Sequence, residues 1–440
     1  MASTYLSRTF TSNSVSNRKF TYSFWIKRSG LGECTMTSAY QSGTYFAGIK
    51  FLTDDRFELY DYRGSYILQK ITSRKFRDTN AWYHIVVASD TSVSTPDTKI
   101  YINGIEETAF DTDTDYNQNA STSFNHSYNN TIGAFGGSSY QQHVNGLMSH
   151  FHFCDGYTYQ ASDFGSTDTT TGEWKITTSP SVSYGSNGFF ILKNGNSVTD
   201  QSGNSNNWTV GGGTLTNTED NPSNVFATLN ALDNFYVGGT FSNGNTTVAT
   251  DVTKYAGTYS TIGASSGKYY CEMKKISGNA HARFGILSRP PIDNGANSAP
   301  GNSADSVGYF SSTGDYYISS SATSYGATYG NGDIIGVAMD LDNNKLYFSK
   351  NGTWQNSGDP TSGATGTGAI NIPTATTGYY HFAMGDQHDA ESGTYSINFG
   401  NGYFGTTAVS SAGTNASGIG IFEYDVPTGY TALSTKGLNE

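Results

Sequence analysis

The chain has 440 residues, of which only 14% are charged, with 36 acidic against 24 basic side chains and a net charge of −12. Phosphate-binding surfaces need clustered Lys and Arg, so this balance excludes a nucleic-acid partner, and it disfavours an anionic membrane. No run approaches the ~20 apolar residues that cross a bilayer, so no membrane insertion is expected.

The 52 Gly and 9 Pro, with 32 Tyr and 25 Phe, predict an almost wholly β chain. Gly and Asn make tight turns, while aromatic and β-branched residues fill strands. From the N-terminus, MASTYLSRTF lacks an apolar core segment, so no secretory leader is expected. KFTYSFWIKR (19–28) alternates and places Phe20, Tyr22, Phe24 and Ile26 on one strand face. FELYDY (57–62), WYHIVVAS (82–89) and GFFILK (188–193) read as strands. KIYINGIEE (99–107) reads as strand, turn, strand, because Asn103-Gly104 suits the positive φ of a type I′ turn. NGLMSHFHF (145–153) alternates again, and TYQASDFG (158–165) allows one helical turn. VGGGTLTNTEDNP (210–222) reads as a break between domains. Beyond it, strands are predicted at 267–276, 282–287, 305–310, 333–341, 345–352, 379–385 and 394–400. The expected fold is all-β: two antiparallel β-sandwich (jelly-roll) domains in tandem. The boundaries are 1–210 for the first sandwich, 211–224 for a linker, 225–405 for the second, and 406–440 for a tail packing on or extending it. Cys34, Cys154 and Cys271 are odd in number and form no CxxC pair, which fits synthesis in a reducing cytoplasm.

Several stretches mimic chemical motifs. Asp340, Asp342 and Asn344 alternate like the start of a calcium loop, but an EF-hand needs Gly at position six and Glu at twelve, where Lys345 and Asn351 stand. The stretch reads instead as a hairpin turn, with Asp340 capping a strand end. GASSG (263–267) matches a nucleophile elbow but precedes a strand, not a helix. His150 and His152 share a strand face, which the core-like Phe151 and Phe153 leave facing solvent or a groove; His84 or Asp155 could add a third ligand, but no Glu follows until Glu173 to complete an acidic site, so no metal is expected. Asp111, Asp113 and Asp115 read as a solvated polar run. Glu106 and Glu107 point to opposite faces, as do Glu58 and Asp61, so neither pair can flank one glycosidic bond. No catalytic set, cofactor or metal is expected. Tyr316, Tyr317, Tyr325, Tyr329 and Trp354 fall in or beside predicted loops, where exposed rings would suit protein contacts and sugar stacking; packing over the sandwich ends is the alternative.

NGDIIGVAMDLDNNKLYFSKNGTW (331–354), with KYYCEMKKI before it and YYHFAMGDQ and YSINFG after it, resembles SPRY domains over about 225–405. FTYSFWIKRS, AWYHIVVASD, TKIYINGIEE and NGLMSHFHFCDG follow the order of laminin-G/concanavalin-like jelly rolls. Such folds often bind glycans, sometimes through calcium, but no matching acidic ligand set is present here. YTYQASDFGSTDTTTGEWKI, NGFFILKNGNSVTDQSGNSNNWT and NPSNVFATLNAL extend the likeness to tailed-phage virion appendage proteins, especially marine ones. The resemblance implies a non-enzymatic, tail-fibre-type protein on the virion surface. It would bind host-surface glycan or protein alongside other virion proteins, as a homo-oligomer, with a trimer the form expected on a fibre. A capsid decoration or connector protein and a polysaccharide depolymerase are the rival readings.

Overall fold

The computed structural model describes residues 4–11, 14–233, 239–250, 256–278, 281–288, 299–386 and 392–439. It divides into two compact units, Met1–Asn217 and Thr218–Glu440. Each is a pair of stacked β-sheets, so the tandem all-β sandwich architecture is what the chain adopts.

In the first unit, the six-stranded sheet runs Phe189–Ile191, Gly146–Asp155, Lys19–Arg28, Trp82–Asp90, Lys99–Ile102, Ile105–Glu106. These are the strands expected from alternation and from the Asn103-Gly104 turn, whose residues both take positive φ, 50° and 80°. Phe20, Tyr22, Phe24 and Ile26 do share one face and enter the core with Ile85, Val87, Phe151 and Phe153. Opposite lies an eight-stranded sheet in the order Phe110–Thr114, Tyr66–Lys75, Arg56–Arg63, Tyr45–Phe51, Cys34–Ser42, Asn129–Ile132, Tyr5–Thr9, Thr209–Gly212. Most of this sheet is not visible in the sequence pattern. Ile49, Leu59 and Leu68 face inward from it with no exposure, and each such side chain contributes about 1.5–3 kcal/mol when fully buried. The expected helical turn is present as a single 3-10 turn, Ala161–Asp163, closed by reciprocal bonds between Gln160 and Asp163.

One boundary differs from expectation. The glycine run taken to open the linker is an edge strand: Thr209–Gly212 pairs antiparallel with Tyr5–Ser7, so the first unit extends to Asn217. Glycine suits this edge because the cross-strand Tyr5 ring lies over Gly211, where a Cβ would come within 2.2 Å of it. At the other end, the tail is an integral part of the second unit. Thr431–Ala432 pairs in parallel with Tyr269–Tyr270, and Phe422, Val426 and Tyr430 are buried against Phe226, Tyr270 and Tyr347.

The second unit stacks a nine-stranded sheet, centred on Gly393–Asn398, Lys268–Gly278, Ile334–Asp340 and Lys345–Lys350, against a six-stranded sheet. The latter runs Ala256–Tyr259, His381–Asp386, Ala282–Leu287, Ser306–Phe310, Asp315–Ile318, Ser321–Ser324. The stretch resembling a calcium loop is the turn of the Ile334–Asp340/Lys345–Lys350 hairpin, as read. Asp340 accepts from the Asn343 amide at 2.9 Å and pairs with Lys268 at 3.0 Å, while Asn344 takes the left-handed φ of 54°. Its carboxylate is thus committed to the turn and to a cation.

Candidate functional site

The five aromatic residues singled out in the second unit separate into two groups. Tyr316 and Tyr317 lie on the strand Asp315–Ile318 and are half-buried. Tyr325 and Tyr329 are not loop-tip residues at all: they are 6% and 4% exposed and belong to the core. Their burial follows from hydrogen bonding, since a buried phenol needs a partner. The Tyr329 hydroxyl lies 2.8 Å from the Tyr309 carbonyl and 3.1 Å from that of Ala282, and the Phe348 amide donates to the Tyr325 hydroxyl at 3.3 Å. Tyr316 meets Tyr325 edge-on at 5.9 Å, and Tyr325 meets Tyr309, so these rings form one connected stack. Trp354 stands apart, half-buried against Tyr270 and Tyr347 in the small cluster that the tail completes. Of the five, Tyr316, Tyr317 and Trp354 keep part of their ring surface exposed, and none stands free of its neighbours. Replacing Tyr329 with Phe removes a buried hydroxyl bond and is expected to destabilise the unit by about 1–2 kcal/mol in urea unfolding. Tyr316→Ala is expected to leave stability within about 1 kcal/mol, which separates core from surface in one measurement.

Tyr317 also covers a buried cation. The Arg283 guanidinium lies 3.9 Å from the Tyr317 ring centroid and 5.1 Å from that of Phe310. It donates to Asn302 Oδ1 at 2.5 Å, and burial lowers its pKa to about 10.

In the first unit, the outer face of the eight-stranded sheet carries an aromatic row that the sequence reading missed. Tyr40, Phe46, Tyr62 and Tyr66 are cross-strand neighbours in register. Phe46 stacks on Tyr62 at 5.0 Å and Tyr62 meets Tyr66 edge-on at 5.2 Å. Tyr66 is 46% exposed. In the adjacent row Gly48 faces Tyr60, and the tyrosine ring lies so close that a Cβ at 48 would come within 2.8 Å of its Cζ. The signal was present as Tyr60 and Tyr62 alternating with Leu59 and Asp61, but only the neighbouring strands turn that alternation into a continuous row.

The carboxylates are committed elsewhere. Asp61, fully buried, accepts from the Tyr116 hydroxyl and from the Ser123 amide and hydroxyl at 2.6–2.9 Å, and Glu58 on the other face pairs with Lys50. The run at 111–115 is not simply solvated: Asp111 pairs with Arg56, and Asp113 and Asp115 converge on the buried Lys70. In the second unit, GASSG (263–267) leads into the strand Lys268–Gly278, and Ala264 bridges to Tyr380.

The histidine pair departs most from expectation. His150 and His152 do not face solvent; they are 9% and 2% exposed, and His84 is 1% exposed. The outer face of the six-stranded sheet is covered by residues 157–190, with Phe164, Trp174 and Tyr184 over it. Burial pushes His84 down to about 3, His150 to about 4, and His152 well below the ordinary imidazole value. Among the described residues, no three His, Cys, Asp or Glu side chains are grouped to hold a metal ion.

Two sandwiches, one with aromatic rings in register across a sheet face, suit a binding role. Residues 3–162 match the family model described as the concanavalin A-like lectin/glucanases superfamily, and residues 268–371 match that of the SPRY domain. The chain therefore carries a concanavalin-like domain followed by a SPRY domain. Over 93 residues it is 38% identical to Ran-binding protein 9 of Danio rerio and 37% identical to Ran-binding protein 9 of Homo sapiens. Each alignment takes in 21% of this chain, so the chain spans only 15% and 12% of the length of those relatives. Among solved structures, the SPRY domain of human HERC1 is 14% identical with a TM-score of 0.28, covering 36% of this chain and 91% of that one. The SAP-like pentraxin of Limulus polyphemus is 14% identical with a TM-score of 0.26, covering 35% and 70%.

Proposed function

We propose that this chain is a non-catalytic adhesive protein of a tailed-phage virion, a tail-fibre-type appendage whose concanavalin-like unit takes host-surface glycan and whose SPRY unit holds protein. The observation that carries the binding reading is the aromatic row Tyr40, Phe46, Tyr62, Tyr66, presented in register with exposed ring at its end. Rigid rings with hydroxyl tips stack on sugars and accept or donate at their edges with little loss of side-chain entropy. Single contacts of this kind are weak. Repeated copies in a homo-oligomer would raise avidity ~10²–10⁴ through linked sites. The virion assignment rests on the sequence resemblance across both units and the segments that follow the first. It carries the localisation with it: particle surface, after synthesis in the host cytoplasm. The commitment of Asp61, Glu58 and the 111–115 run to structural partners supports a binder over a polysaccharide depolymerase.

Binding of the purified chain to host polysaccharide is the direct test. Tyr62→Ala with Tyr66→Ala is expected to weaken retention on immobilised host glycan at least tenfold without loss of fold. Unchanged retention would remove the aromatic row from the reading. Release of oligosaccharide from that glycan would favour the depolymerase, and density for the chain on capsid instead of tail in an intact particle would favour a decoration or connector protein.

A further inference from the structure

His84, on the strand Trp82–Asp90, lies between two indoles, with ring centroids 4.7 Å from Trp25 and 5.9 Å from Trp174. The Trp174 indole N–H donates to His84 Nδ1 at 2.9 Å, and His84 Nε2 lies 2.9 Å from Ser23 Oγ. An indole nitrogen is only a donor. Nδ1 must therefore be bare, and the single ring proton sits on Nε2. A second proton would set N–H against N–H and break the link between the sheet and Trp174.

Trp174 is what holds the covering hairpin Gly165–Thr167/Trp174–Ile176 in place. Its ring lies over Gly104 and Gly165, where a Cβ would approach it to 2.4 and 2.6 Å. A second histidine supports the same cover: His152 stacks on Phe190 at 3.8 Å, packs against Phe164, and its Nδ1 lies 2.9 Å from the Tyr184 hydroxyl.

No carboxylate hydrogen-bonds these rings among the described residues. On the 3-10 turn, Asp163 accepts from the Gln160 amide. On the hairpin, Asp168 pairs with Lys175, and Glu173 acts on that same lysine. Beneath Phe190, Asp200 accepts from the amides of Phe190 and Asn206. From the sheet itself, Cys154 and Tyr101 face the cover, and Tyr159 with Tyr184 face it from the cap side. Lys193 and His150 are the nearby groups that become or remain cationic, and both disfavour a further charge. An imidazolium between indoles gains some cation–π attraction, but burial outweighs it, since His84 is held down at about 3.

We infer that this unit carries an acid-operated cap: protonation of His84 and His152 frees residues 157–177 from the outer sheet face and uncovers the apolar surface around Val86 and Cys154. The sign follows from linkage. A histidine whose closed-state pKa lies below its free value supports closure fully above about pH 6.5 and loses that support as pH falls towards the closed-state value. The closing constant falls by up to roughly tenfold per pH unit for each histidine, about 100-fold for the two together.

Hydrogen exchange on the full chain between pH 7.5 and 4.0, corrected for the intrinsic rate, tests this. Amides of 157–177 are expected to lose protection between roughly pH 6 and 4, with dye binding rising in parallel, while Lys19–Arg28 and Trp82–Asp90 stay protected. His84→Gln with His152→Gln, whose amides cannot titrate and can still accept from Trp174, is expected to keep the cap protected down to pH 4. If that variant does not fold, Trp174→Phe removes the donor and is expected to move the opening to higher pH. A cap that stays protected at pH 4 in the wild-type chain overturns the inference, as does loss of cap and core together. An opening midpoint shared by wild type and variants overturns it equally. None of these readouts depends on glycan binding.

Discussion

Glu272→Ala is expected to detach the C-terminal segment from the second unit and to destabilise that unit by about 3–4 kcal/mol. Glu272 sits mid-strand with no exposure, and its carboxylate accepts from the backbone amides of Glu423 and Tyr424, both at 2.8 Å, and from the Asn398 side chain at 3.2 Å. Removing the acceptor leaves three donors in a place where each lost bond costs about 1–3 kcal/mol, partly offset by water entering. Protease nicking in 409–426 and faster amide exchange there are the expected readouts. The pH dependence has a definite sign. Burial raises the Glu272 pKa to about 7, against the lowering effect of the Glu423 and Tyr424 amides. The folded protein therefore holds this proton more tightly than the unfolded chain does. Its contribution to stability is complete below about pH 4.5 and is lost as pH rises through about 7, a change of roughly 3 kcal/mol. Glu272→Gln cannot titrate. The stability of wild type minus that of this variant should thus fall from pH 4.5 to 8, and a value that stays flat or rises would refute the account.

Asp55→Ala in the first unit is the second large effect expected, a loss of about 3–5 kcal/mol, because it strands a buried cation. Arg28 and Asp55 pair at 3.1 Å with side chains 1% and 6% exposed. The guanidinium also packs on the Phe51 ring at 4.4 Å and donates to the carbonyls of Gly32 and Phe76, while Asp55 accepts from the Gly32 amide at 2.7 Å and from Arg77. One ion pair thus closes three loops. Asp55 has a φ of 70°, so alanine adds backbone strain that asparagine would not. Asp55→Asn is accordingly expected to lose less than Asp55→Ala, and Arg28→Met with Asp55→Asn less than Asp55→Ala alone, since no buried charge is then left without a partner. Equal losses in all three would show that the pair acts only through packing.

Legibility in the sequence followed side-chain polarity. KFTYSFWIKR became Lys19–Arg28 residue for residue, and the hairpin around Asp342 formed as read, because alternation and turn chemistry are local. Cys34–Ser42 was not read as a strand because its middle is Thr35, Thr37 and Ser38. Those residues are buried all the same: Ser38 bonds Thr131 and receives the Gly136 amide from a hairpin 98 residues away. The same blindness hid the aromatic row, whose four rings come from four strands.

The composition and the local patterns determined by themselves that this chain is all-β, where its hairpins turn, and that it holds two sandwiches, since period-2 burial and left-handed turn residues act over a few positions. Only the tertiary structure decided that Tyr325 and Tyr329 are core, that His84 and His152 lie neutral beneath a cover, and that Glu272 clamps the tail. In each case a segment distant in sequence removes the water from a polar group. Whether a side chain is a surface contact or a structural tie depends on what lies over it, which no local pattern encodes.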